Sequence, residues 1–457
     1  MHMPWQDYLD KEQSRFLDEL IEFLSIPSIS TIPAQKGEVR RAVEWVQNRL
    51  KRAGFRDVRI LETGGHPVAY AQWLEAGGAP TILVYGHCDV QPVDPLSLWD
   101  SPPFQPTIRG GCIYARGASD MKTSVLTVMA ACEAWLQGEG RLPINVKVLV
   151  EAEEEIGSPN LENFVLEHKD LLACDLVVSA DSGQSDEGPT LPYGNRGLVG
   201  LQIDVTSAKT DLHSGTGGGI APNANHELIR LLNSMRSEDG TIRVKGFYDS
   251  VAGLTSDEKA RIAAGGDWVT EFAKYAGIKK IIGDPRFTPA ERAVARPTLE
   301  VNGMWGGFQE DGIKTVIPSE AHAKVTCRLV PNQTPDEVYA LLEAHIKSHA
   351  SDAVSVNLTR LPGSALPYLL LLNHPGAKAS IRALKRVYRG KEPIPTRSGG
   401  TVPFLGMMLQ HLGVYTVSFG FSGDNENIHA PNEFFKLPNF PLGQRAFCAL
   451  FEELARM

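Results

Sequence analysis

Five short segments carry the side chains that could do chemistry: residues 85–92 (YGHCDVQP), 116–122 (RGASDMK), 151–158 (EAEEEIGS), 179–182 (SADS) and 427–433 (NIHAPNE). His87 is followed two residues on by Asp89, and a carboxylate so placed can hold a metal-binding imidazole in one tautomer and one direction. Asp120 can offer one carboxylate oxygen to each of two cations. Glu153, Glu154 and Glu155 repel one another by Coulomb's law, so a nearby cation suits them. Neighbouring side chains on an extended backbone point in different directions. One of Glu154 and Glu155 can therefore bind metal while the other faces a substrate water. Two imidazoles (His87 and His429), several carboxylates and no thiolate suit zinc, manganese or cobalt and not an iron–sulfur centre.

Each segment has an ordinary reading when taken alone. A strand-end histidine is commonly structural or merely exposed. Asp120, just before a helix, can serve as an N-cap. A run of glutamates is usually a solvated loop. The set is more telling than its members, because apolar runs end just before His87, Glu151 and Asp181. In open α/β sheets, sites gather beyond the carboxyl ends of the strands.

The elements that must position these residues can be read from periodicity. Helices are expected over 5–25, 38–53 and 123–136, and strands over 68–73, 81–85, 145–151 and 176–179. Strands alternating with helices predict an α/β sheet covered on both faces. The texture changes near Gly197. Residues 198–206 alternate like a half-buried strand, and a Gly-rich stretch, a helix over 225–235 and a polar, basic region to 296 follow. Strands at 298–303, 321–330 and 353–361 and a helix over 335–348 complete a second α/β region with a solvent-facing sheet. Helix returns at 376–389 and a buried strand at 415–420, so one domain is interrupted by another.

Composition narrows the function further. A chain of 457 residues, 42% hydrophobic and 22% charged, is expected to fold into two or three domains rather than stay disordered. Its 45 basic and 54 acidic residues give a net charge of −9, which argues against a nucleic-acid or anionic-membrane partner. Six scattered cysteines without a CxxC pair argue against a disulfide framework or a cysteine zinc site. They fit a reducing compartment, the cytoplasm. No apolar run approaches membrane-spanning length, and residues 1–13 lack the pattern of a secretory signal.

In this order and at these spacings, the five segments resemble the aminoacylase and dipeptidase superfamily of co-catalytic zinc hydrolases. Further phrases are similar to its carnosinase and cytosolic nonspecific dipeptidase branch: WDSPPFQP (99–106), DLHSGTGGG (211–219), KTVIPSEA (314–321), CRLVPNQTP (327–335) and SGGTVPF (398–404). The resemblance implies a zinc-peptidase-like catalytic domain over 1–196 and 367–457, with a mixed sheet between helices. Over 197–366 it implies an α+β lid and dimerisation domain with a ferredoxin-like sheet. Two divalent ions per subunit are implied, zinc first, with manganese or cobalt as alternatives. His87, Asp120 and Asp181 would hold one ion, and Asp120, Glu155 and His429 the other. Asp89 would orient His87. Glu154 would be the general base that activates the bridging water; Gly157, two residues after Glu155, sets that register. The Asp120–Met121 peptide would be cis. His213 would stabilise the carbonyl oxygen in the partner subunit's site, which implies a homodimer. Arg328 and the loop Ser398, Gly399, Gly400, Thr401 would hold the substrate carboxylate.

The implied reaction is hydrolysis of an amide bond next to a free carboxylate, in a dipeptide or, alternatively, in an N-acyl or N-carbamoyl amino acid. Outside enzymes, the alternative is a non-catalytic peptide- or metal-binding relative, which would have no need of a base at Glu154. Two departures bear on substrate preference. The dipeptidase relatives carry Arg-Glu-Gly-Gly-Ser where this chain has Arg397-Ser398-Gly399-Gly400-Thr401, and Ser-Asp-Asn where it has Ala180-Asp181-Ser182. Neither removes a metal ligand.

Overall fold

Four apolar runs pair side by side in parallel: Thr81–His87, Asn145–Glu151, Leu176–Ser179 and Thr416–Ser418. The antiparallel strands Val68–Trp73 and Asp57–Leu61 extend the sheet beyond Asn145–Glu151, which makes it six-stranded and mixed. Nearly every residue of the central strands is buried. Continuous burial of this kind, without in–out alternation, requires cover on both faces. The structure is a computed structural model that describes residues 3–457.

The helix Thr123–Gly138 is apolar on nearly every side, and it is buried from Thr123 through Trp135. A helix without a polar face must lie inside. It packs against the helices Pro4–Leu24, Lys36–Ala53 and Asn439–Leu454. Contacts divide the chain into two units. The first holds the residues up to Tyr193 together with Leu370–Pro395 and Met407–Met457; the second holds Gly194–Leu369 and Thr396–Gly406.

The second unit is built on a four-stranded antiparallel sheet in the order Thr298–Gly306, Glu320–Leu329, Gly197–Thr206, Ser355–Arg360. The helix Ala224–Ser234 follows the first of these strands in the chain, and Pro335–His349 follows the third. This βαββαβ order is the ferredoxin-like arrangement. Burial alternates along Glu320–Leu329, and Ala321, Ala323, Val325 and Cys327 share one core with Leu228, Val338 and Ile346 of the two helices. The stretch read from sequence only as polar and basic contains three short helices, Ser256–Ala264, Trp268–Tyr275 and Pro289–Ala295. Among the described residues no helix is long and apolar enough to cross a membrane, and all six cysteines are free.

Candidate metal centre

The register of the parallel strands sets His87 opposite Glu151, and Tyr85 opposite Ser179. The strands therefore stop at one level, and the loops beyond them carry Asp89, Glu154, Glu155 and Asp181. Gly86 must be small: a Cβ there would lie 2.9 Å from the Met121 methyl and 3.0 Å from Val125. Met121 Sδ in turn receives the His87 backbone N–H at 3.3 Å. This packing sets the strand end directly against the turn that bears Asp120. The Asp120–Met121 peptide is cis, as the resemblance implies.

Asp120 lies between two imidazoles. Its Oδ1 is 3.0 Å from His87 Nε2 and its Oδ2 is 3.0 Å from His429 Nε2. His429 Nε2 is also 3.2 Å from the Glu155 carboxylate. Two groups able to hold a cation result, His87–Asp120–Asp181 and Asp120–Glu155–His429, and in each the ligand atoms lie within 4.8 Å of one another. Asp120 is the member common to both. Glu154 Oε2 stands 3.9 Å from His87 Nε2. Asp89 joins the two loops: its carbonyl is 3.2 Å from His87 Nδ1, and its carboxylate accepts the N–H groups of Glu154 at 3.3 Å and Glu155 at 3.1 Å.

Electrostatics describe the same cluster. Burial, followed by repulsion from Asp181, Glu155 and Asp120, pushes Glu154 up to about 8 against the pull of His87. Burial and Asp120 push Asp181 up to about 6. Hydrogen bonds to Asp120 and Glu155 raise His429 to about 10. For Asp120, burial works upward, but the hydrogen bonds from His429 and His87 outweigh it and hold the carboxyl below its usual range. Four carboxylates crowded this closely with two imidazoles form a hard nitrogen–oxygen donor set that suits divalent cations.

His429 sits at φ +63°, in the left-handed region, with Asn425, Asn427 and Asn432 at similar angles around it. Asparagine tolerates that region better than most residues, and such backbone concentrates at functional sites. The strand Phe434–Lys436 pairs with Cys112–Tyr114, which brings Glu433 to the Asp120 turn. Glu433 takes the backbone N–H groups of Gly117, Ser119 and Asp120 and the buried Arg116 guanidinium. Gln91 donates to the Glu155 carboxylate at 2.9 Å. Sequence reasoning gives Glu433, Arg116 and Gln91 no role. The available signal was their place inside the segments that supply the candidate metal ligands.

His213, Arg328 and Ser398–Thr401 lie in the second unit. His213 Nδ1 accepts the Gly215 N–H at 3.1 Å. A ring nitrogen that accepts carries no proton, so the Nε2 of a neutral His213 is a donor. Arg328 Nη1 donates to Thr401 Oγ1 at 2.5 Å. Arg196 holds the same loop, with its N–H on the Gly400 carbonyl at 3.0 Å and its Nε on the Gly399 carbonyl at 2.9 Å.

Residues 83–453 match the family described as Peptidase family M20/M25/M40. Human Beta-Ala-His dipeptidase is 31% identical over 98% of this chain and 92% of its own length. The Cys-Gly metallodipeptidase of Schizosaccharomyces pombe is 29% identical over 98% of this chain and 97% of its own. Among solved structures, the M20 family metallo-carboxypeptidase Sso-CP2 from Sulfolobus solfataricus superposes with a TM-score of 0.85 at 32% identity, covering 97% of this chain and 99% of that one. With the match spanning most of the chain, and with relatives covering nearly all of it, this protein belongs to peptidase family M20/M25/M40 and is a metallopeptidase.

Proposed function

We propose that this protein is a dipeptidase that cleaves the amide bond beside a free carboxylate. The observation that carries the reading is the sharing of Asp120 by two ligand groups, with Glu154 close by. We assign His87, Asp120 and Asp181 to one ion and Asp120, Glu155 and His429 to the other. Zinc suits this donor set, with manganese or cobalt able to replace it. Two such ions would lower the pKa of a water and polarise the scissile carbonyl.

The chain's own groups do the rest. Glu154 takes the proton of the attacking water and passes it to the leaving amine. Asp89 holds the His87 ring and, through two backbone N–H groups, the loop of Glu154 and Glu155. The His213 Nε2–H meets the charge that develops on the carbonyl oxygen. Arg328 and the Ser398–Thr401 loop hold the substrate carboxylate. The human and fission-yeast relatives are named as dipeptidases, and the Sulfolobus neighbour as a carboxypeptidase. These names support a substrate that ends in a free carboxylate.

We take the first unit as the catalytic domain and the second as a lid and dimerisation domain, with His213 serving the partner subunit in a homodimer. Support for self-association comes from the sheet edge. Thr298–Gly306 is an edge strand with Val301, Met304 and Trp305 exposed, and a long apolar edge invites pairing with another chain. Six free cysteines suit a reducing compartment such as the cytoplasm.

The test is a panel of dipeptides and of N-acetyl and N-carbamoyl amino acids, run with zinc or manganese added. Dipeptide turnover well above the acyl compounds is expected. The reverse order would replace the dipeptidase assignment with an amidohydrolase one.

A further inference from the structure

Gln91 lies in the loop that leaves the strand Thr81–His87. Both of its flanks are fixed. The Val90 N–H donates to the Ser28 carbonyl at 2.9 Å, and the Val90 side chain is fully buried. On the other side Pro92 has a locked φ, and its carbonyl accepts the Arg116 guanidinium at 2.9 Å. Arg116 is itself held by Glu433 at 2.7 Å. The loop therefore delivers the Gln91 side chain from a tethered backbone, as a precisely aimed contact requires.

That contact is with Glu155. Gln91 Nε2 donates to Glu155 Oε2 at 2.9 Å and to the Glu155 carbonyl at 3.1 Å. An amide NH₂ has two protons to give, and here both acceptors belong to one residue. Asp89, in the same loop, takes the Glu155 N–H at 3.1 Å. The loop beyond His87 thus holds the N–H, the carbonyl and the carboxylate of Glu155.

Among the described residues, His429 is the other side chain that reaches this carboxylate, with Nε2 3.2 Å from Oε2. A histidine that gives Nε2 to a cation keeps no proton there to donate. Gln91 is then the side chain left to aim Glu155, whose own side chain is only 3% exposed and sees little water. A neutral amide suits the task. It orients the carboxylate without cancelling the charge that attracts a cation, as a lysine or arginine would.

We propose that Gln91 is a positioning residue of the metal centre: it aims Glu155 and so tightens the ion of the Asp120–Glu155–His429 group. It makes no hydrogen bond to His87, Asp120 or Asp181 among the described residues, so the ion of that group should not depend on it. The proposal rests on the ligand groups assigned above and adds a residue outside them.

Calorimetric titration of the metal-free full chain with zinc tests this without substrate. Wild type should take up two ions, and the step that disappears in His429→Ala belongs to the Asp120–Glu155–His429 group. Gln91→Met keeps the length of the side chain and removes its donors. It should weaken that step by ~10–100-fold, the usual effect of losing an outer partner of a ligand, and leave the other step at wild-type affinity. Gln91→Ala should give the same pattern and serves as the second variant should Met pack badly. Dipeptide turnover by Gln91→Met should be low at limiting zinc and return towards wild type in excess zinc. If the ions bind in this pattern but wild type cleaves no dipeptide, the hydrolase reading fails and the role of Gln91 stands. Wild-type affinity at both steps in the two Gln91 variants overturns the proposal. Equal weakening of both steps, as a general loosening of the fold would give, overturns it too.

Discussion

Glu433 and Asp120 are tied together through the backbone. One carboxylate oxygen of Glu433 accepts the N–H of Asp120 at 3.0 Å and that of Ser119 at 2.9 Å. The other accepts the Gly117 N–H at 3.0 Å and the Arg116 guanidinium at 2.7 Å. His429, four residues earlier, reaches the same Asp120 from the other side. One C-terminal segment thus presents an imidazole to Asp120 and also fixes the turn that carries it. Glu433→Gln sets an amide NH₂ against backbone donors and should weaken metal affinity by ~10–100-fold, the usual effect of losing an outer partner of a ligand. Glu433→Ala should cost about 3–5 kcal/mol of stability, because Arg116 would stay buried without its partner. Metal titration of the Gln variant decides the matter, and wild-type affinity would remove the positioning role.

Because Asp120 belongs to both ligand groups, Asp120→Ala should lose both ions. His429→Ala should lose the ion of its own group and leave the His87–Asp120–Asp181 group able to hold the other. Elemental analysis after dialysis against zinc distinguishes the two. Equal stoichiometry in both variants would show that Asp120 is not shared.

Glu154→Gln should keep its metal and lose ~10²–10⁴ in kcat, the usual share of a general base. His213→Ala should also keep its metal, with kcat down by ~10²–10³ if its donor meets the carbonyl oxygen. Mixing the two inactive variants under exchange conditions discriminates further. If His213 serves the partner subunit, mixed dimers contain one intact site and regain activity that neither parent has. A mixture as inactive as its parents would confine His213 to its own chain.

Glu151 gives a pH dependence with a definite sign. Burial, opposed by the hydrogen bond from Tyr85, pushes its carboxyl from 4.5 up to about 7. The folded state then keeps a proton that the unfolded chain has released, so stability falls as pH rises from 4.5 towards 7. The loss is on the order of 1–3 kcal/mol. Glu151→Gln cannot release a proton and should lack this slope. Denaturant midpoints of both proteins across that window give the comparison, and parallel curves would contradict the shift.

The buried strands were legible in sequence because burial on both faces leaves an unbroken apolar run, as in Asn145–Glu151 and Leu176–Ser179. The helices Ser256–Ala264 and Pro289–Ala295 were not, since at nine and seven residues they are too short to show a period. Their capping boxes were nonetheless present in the sequence, as Thr255 with Glu258 and Thr288 with Glu291. His87, Asp120 and His429 stood out because their residue types and neighbours suggest chemistry. Glu433 did not, because its work is done on backbone N–H groups, and those leave no trace in a string of side chains. The grouping of residues 396–406 with the second unit was equally hidden, since it depends on contacts far apart in the chain.

The level ending of the parallel strands has one more consequence. Sliding Thr81–His87 by two residues along Asn145–Glu151 would keep the same faces inward, yet it would carry His87 ~6.6 Å along the sheet. That exceeds the 4.8 Å within which the ligand atoms now gather. With the ligand set proposed above, a chain paired two residues out of step would still bury its valines, but it would no longer gather His87 with Asp120 and Asp181.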